Sequence, residues 1–90
     1  MEPYDYHGYR IIPGAVYHSE IRRWMAAGEI RNAEVADGHA EPARTPVPFG
    51  TEQQARLASA RQAEAMIRHH RAGSGGLVDL DRERQWKNLP

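Results

Sequence analysis

The stretch between Gly50 and Gly73 constrains the chain more than any other, because it holds neither glycine nor proline and is rich in alanine and long polar residues. Those residues lose little side-chain freedom in a helix. The boundary is marked on the amino-acid side as well: Gly50 permits a bend, Thr51 can accept a backbone N–H, Gln54 stands at the reciprocal position of a capping box, and Glu52 suits the first turn. The predicted helix runs from Glu52 to about Arg71 and stops at Gly73, with Arg68, His69, His70 and Arg71 at its negative end. At about 100° per residue, Ala55, Ala58, Ser59, Gln62, Ala65, Met66 and His69 share one face, flanked by Ala63 and Ile67. Arg56, Arg61, Glu64 and Arg68 fall largely outside it. Such a small-residue face lets a helix lie close on a sheet, with Tyr9, Trp24 and Phe49 filling the space beneath.

The sheet is read from the preceding half. Residues 6–18, YHGYRIIPGAVYH, are aromatic and β-branched, which favours extended structure, with Pro13–Gly14 expected to break or bulge the strand. In Arg22–Arg31, alternation puts Trp24, Ala26 and Ile30 on one side and Arg23, Met25, Ala27, Glu29 and Arg31 on the other. A helix competes for residues 20–31, since Ile21, Trp24, Met25 and Gly28 also recur at helical spacing. Gly28 within the run, and the lack of a capping residue other than Ser19, favour the strand. Asp37–Gly38 reads as a turn and Pro42 as a breaker. Pro46 and Pro48, two apart, remove donors from a single edge, which suits an outer third strand leading into Phe49.

The order Tyr6-x-x-Tyr9-x-Ile11, Trp24-x-Ala26-x-x-x-Ile30 and Phe49-x-Thr51-x-x-x-Ala55 resembles a group of small, functionally uncharacterised bacterial proteins. The resemblance covers residues 4–71 and implies a three-stranded meander followed by one helix; it brings no functional residue with it. The spacer from Asn32 to Pro46 and the tail beyond Gly73 depart from that pattern. The expected fold is thus α+β and two-layered, an antiparallel β-β-β-α domain over residues 1–72. The remainder, 73–90, is expected to be a glycine-rich joint and a tail that is mobile or weakly docked through Leu77–Leu80.

Composition excludes several functions. Cysteine is absent, which removes disulfides, thiolate zinc sites and thiol catalysis and fits a reducing cytoplasm. The first ten residues lack the basic and apolar regions of a secretory signal, and no apolar run approaches the roughly 20 residues of a membrane span. Twelve basic and twelve acidic side chains balance, so a dedicated nucleic-acid binder is not indicated. His69 and His70 are adjacent on a helix and cannot chelate one ion as an i, i+4 pair would, so no metal or other cofactor is expected. Asp79 and Asp81 lack the ligand spacing of a calcium loop, and Ser19, Ser59 and Ser74 stand in no nucleophile motif. An enzyme is not expected.

Strand parity supplies the functional expectation. If Tyr9, Ile11, Trp24, Ala26 and Ile30 lie under the helix, then Arg10, Ile12, Val16, Arg23, Met25, Ala27 and Arg31 are left on the uncovered face. That surface, with Trp86 in the tail as a possible anchor, reads as a place for an unknown protein partner or a second copy of the chain. Nucleic acid, gripped by Arg10, Arg23 and Arg31, is the alternative.

Overall fold

The computed structural model describes residues 1–35, 38–74 and 76–87, with side chains throughout those ranges except at 74 and 83–87. Five strands come first: β1 (Tyr4–Tyr6), β2 (Tyr9–Ile12), β3 (Ala15–His18), β4 (Arg23–Asn32) and β5 (Glu41–Arg44). Two helices follow, α1 (Glu52–His69) and α2 (Val78–Lys87). The α+β antiparallel arrangement agrees with the sequence reading. The strand count corrects it, for five strands form where three are expected.

The first extra strand comes from a hairpin. His7 (φ 51°) and Gly8 (φ 85°) both adopt the left-handed conformation, as a two-residue type I′ turn demands, and set Tyr6 opposite Tyr9 and Tyr4 opposite Ile11. The second comes from Pro13–Gly14, which interrupts the ladder but inserts no residue. Ile12 lies opposite Glu29 and Ala15 opposite Ala26, so β2 and β3 run along β4 in one register, and the Ala27 N–H still donates to the Gly14 carbonyl at 3.0 Å.

On the other edge of β4, the third strand forms earlier than expected. β5 pairs Gly28 with Ala43 and Ile30 with Glu41, whereas the proline-flanked segment contributes only a bridge. There Phe49 N–H donates to Trp24 O at 2.8 Å and Trp24 N–H to Phe49 O at 2.9 Å. Pro42, expected to break the chain, stands inside β5. Trp24 N–H points to this edge and so, by alternation, does that of Gly28, which makes Ala43 the residue bonded to β4 and turns the missing N–H of Pro42 outward.

Thr51 caps α1 as expected, with extended backbone and its hydroxyl accepting the Gln54 N–H at 3.1 Å. The helix covers the side of the sheet carrying Tyr9, Ile11, Ala26 and Ile30, all buried as parity requires. Trp24 is half-buried, its ring centroid 5.2 Å from that of Tyr17 opposite. The buried helix face is Ala55, Ser59, Ala60, Ala63 and Ile67, turned by about one residue from the expected one, and Ala58, Ala65 and Met66 are only half-buried. Alanines at 55, 58, 60, 63 and 65 surround the helix and cannot orient it; Ile67 and a close contact at Ser59 do.

At that contact helix and sheet approach closely. A Cβ on Gly28 would stand 2.9 Å from both Cβ and Oγ of Ser59. The buried Ser59 hydroxyl accepts the Gly14 N–H at 3.0 Å and donates to the Arg56 carbonyl at 2.7 Å. It therefore satisfies the backbone group that the Pro13–Gly14 interruption frees.

The C-terminal segment turns back onto the body. α1 ends at His69, a single wide turn over His70–Ser74 follows, and Gly73 (φ 104°) redirects the chain as a left-handed glycine after a helix does. α2 then forms, and Leu77 and Leu80, the ends of the segment expected to dock, are 1% exposed within the same core as Ile11, Ile30 and Ile67. Buried Asn32 fixes this docking: its Nδ2–H donates to the Leu80 carbonyl at 2.9 Å, and its Oδ1 accepts the Glu34 N–H at 2.9 Å. The expected turn at Asp37 and the side chain of Trp86 lie outside the described residues.

Candidate interaction face

The side of the sheet away from α1 is built by alternation along β1 to β5. Reading across the strands, Asp5, Arg10 and Arg31 form one row; Ile12, Glu29 and Pro42 the next; then Ala27 beside Arg44, Val16 beside Met25, and His18 beside Arg23. Arg10, Ile12, Arg23, Met25 and Arg31 thus share this face. Ile12, Met25 and Ala27 are half-buried, and Val16 keeps 50% of its surface in solvent. Together they make a small apolar patch beside Gly14.

Charges at the margins are largely paired in place. Arg10 Nε donates to Asp5 Oδ1 at 3.0 Å. Arg31 donates from Nε and Nη2 to Glu29 Oε2, each at 3.4 Å, and from Nη1 to the Gly38 carbonyl at 3.4 Å. Arg10 and Arg31 stand directly opposite one another, a repulsive placement that these two carboxylates offset. Arg23 stands at the far end of the face, and its guanidinium reaches toward Gly50, with Nη1 3.5 Å from where a Gly50 Cβ would be. The three arginines therefore do not converge. Sequence reasoning missed Asp5 and Arg44 on this face; the glycine after His7 was the available signal for the hairpin that brings in Asp5.

On the covered side, polar side chains tie the elements together. Tyr4 OH donates to Glu64 Oε2 at 2.5 Å and Arg68 Nη1 to Tyr6 OH at 3.3 Å, joining β1 to α1. Burial, then the hydrogen bond and negative charge of Glu64, push the Tyr4 phenol well above the usual tyrosine range. Tyr9 OH donates to Asp81 Oδ1 at 2.5 Å, and His70 Nε2 lies 2.7 Å from Asp81 Oδ2. His70 Nδ1 accepts the Leu77 N–H at 3.2 Å, so Nε2 is the protonated nitrogen that donates to Asp81. This chain of bonds runs from β2 through α2 to the end of α1.

A groove of about 600 Å³ lies between the Thr45–Gly50 segment and α1, lined by Phe49, Leu57, Ala58 and Arg61 among others. Among the described residues, no three His, Asp or Glu side chains come together as metal ligands would, and no helix is long and apolar enough to cross a membrane. In comparisons with known proteins, no family model matches the chain and no curated protein is significantly similar to it.

Proposed function

We propose that the chain is a small non-enzymatic protein-interaction module that self-associates through the open face of its sheet. The observation carrying this reading is that α1 and α2 cover one face only, leaving Ile12, Val16, Met25 and Ala27 as an apolar patch on the other. The pairing of Arg10 with Asp5 and of Arg31 with Glu29 supports a protein surface over a phosphate-binding one, because both arginines already hold a carboxylate. The titratable groups on the covered side are engaged in joining β1, β2, α1 and α2, which supports a structural use for them.

Sedimentation as a function of concentration tests this. The wild-type chain is expected to form a dimer or larger species, and the pair of substitutions Val16→Asp and Met25→Asp to hold it as a monomer. A wild-type chain that stays monomeric at its highest soluble concentration overturns the reading. Salt-sensitive binding to generic DNA or RNA, lost on neutralising Arg10, Arg23 and Arg31, would favour nucleic acid instead.

A further inference from the structure

We infer that the outer edge of β3 pairs with the same edge of a second copy, antiparallel about a two-fold axis, so that the two sheets run on into one and their open faces join. This rests on the self-association reading and specifies its geometry.

The sheet has three outer edges. β1 offers three residues, preceded by Pro3 and centred on Asp5. β5 carries Pro42, with Pro46 and Pro48 beyond it. Short length, charge and proline are the usual means of keeping an edge from recruiting another strand. β3 is also short, at four residues, but carries neither charge nor proline between Ala15 and Tyr17. β1 reaches only Ile11 along the neighbouring strand, so it leaves β3 uncovered, and among the described strands β3 pairs with β4 alone. Val16 (50%) and Tyr17 (49%) are exposed apolar side chains of this strand, and Ile21 (52%) follows in the turn beyond it.

Backbone parity then selects the register. Because Trp24 bonds to Phe49 on the far edge of β4, its opposite number Tyr17 is not bonded to β4 and turns its N–H and C=O outward, as does Ala15. A two-fold axis through Ala15 would bring in Pro13, which has no N–H, and one through Tyr17 would bring in Ser19, which lies in the turn. An axis between the two Val16 residues sets Ala15 against Tyr17 of the other copy and Tyr17 against Ala15, so that every outward donor and acceptor of Ala15 and Tyr17 is used. It also places Val16 beside Val16 on the open face, flanked by Met25 at each side, in a continuous apolar row.

Backbone self-complementarity argues for a second copy as the occupant: about the Val16 axis, the outward N–H and C=O groups of Ala15 and Tyr17 on one edge meet the same set on the other, and the exposed Val16 meets its own equivalent.

The test uses charge at the axis. Val16→Lys and Val16→Glu are each expected to leave a folded chain, since the side chain is half-exposed, and to weaken the dimer at least about tenfold by placing like charges opposite one another. Mixing the two variants in equal amounts is expected to restore a dimer, because each lysine then meets a glutamate. Ala15→Pro, which deletes an outward N–H without touching the β4 ladder, is expected to weaken the dimer as well. A wild-type dimer that survives Ala15→Pro, or a mixture that fails to restore pairing, overturns the edge geometry and leaves self-association through the face standing. A wild-type monomer at every concentration overturns both.

Discussion

Replacing Gly28 by alanine probes the close approach of α1 to the sheet. The added Cβ would stand 2.9 Å from Cβ and Oγ of Ser59 and 3.0 Å from the Ile12 carbonyl oxygen. Carbon contacts are comfortable at about 3.5 to 4.0 Å, so α1 must retreat by roughly half an ångström or more. The retreat loosens Ala55, Ala63 and Ile67 against the sheet and stretches the bond from Gly14 N–H to Ser59 Oγ. Overpacking of this kind costs about 1 to 3 kcal/mol, and the strained hydrogen bond puts the expectation near the upper end, at about 2 to 3 kcal/mol. Urea denaturation reads the loss as a lower midpoint at unchanged slope. Ser59→Gly supplies the control. Alone it costs about 1.5 kcal/mol, about 0.5 from glycine replacing serine inside a helix and about 1 from leaving the Gly14 N–H unmet. It also removes the atoms that the new Cβ strikes, so the double variant is expected to lose at least about 1 kcal/mol less than the two single losses together. A Gly28→Ala chain within about 0.5 kcal/mol of wild type, or strictly additive losses, would refute the close-approach argument.

Three further outcomes are expected. Leu80→Ala should cost about 2 to 5 kcal/mol and speed amide exchange along α2, since Leu80 is buried in the shared core; unchanged exchange would show that α2 does not depend on this anchor. Thr51→Ala should cost about 1 kcal/mol by thermal or chemical melting, through loss of the bond to the Gln54 N–H, and a neutral result would count against the cap. The Tyr4 phenol keeps its proton in the folded chain at pH values where an unfolded tyrosine loses it, so its contribution is complete below pH about 10 and is lost as pH rises beyond that. Tyr4→Phe should therefore flatten the fall in Tm on the alkaline side, and parallel curves for the two proteins would contradict the assignment.

The proposed interface depends on features of different origin. Val16 and Met25 meet because β3 and β4 share one register, and the edge beyond Val16 is open because β1 ends opposite Ile11. Neither relation is local. The ion pairs that quiet Arg10 and Arg31 are closer to local: Asp5 lies across a two-residue hairpin from Arg10, and Glu29 lies two positions from Arg31 on the same strand face.

Much of the architecture was legible from residue order, namely the cap at Thr51, the helix after it, the glycine that ends it, and the two sides of β4 with Ile30 and Ala26 inward and Met25 and Arg31 outward. These follow from rules acting within a few residues, capping bonds at three-residue reach and the alternation of side chains along a strand. Other features were decided by the tertiary structure: which side of α1 packs inward, that Pro42 stands within an edge strand, and that Leu80 is carried by a second helix tied to Asn32. A helix ringed with alanine has no preferred side until Ser59 meets Gly14 and Gly28, and a proline is harmless only where its missing donor points away from every neighbour. The physical reason is shared by all three cases: each is settled by a contact between residues distant in the chain, whose free energy exists only once both are in place.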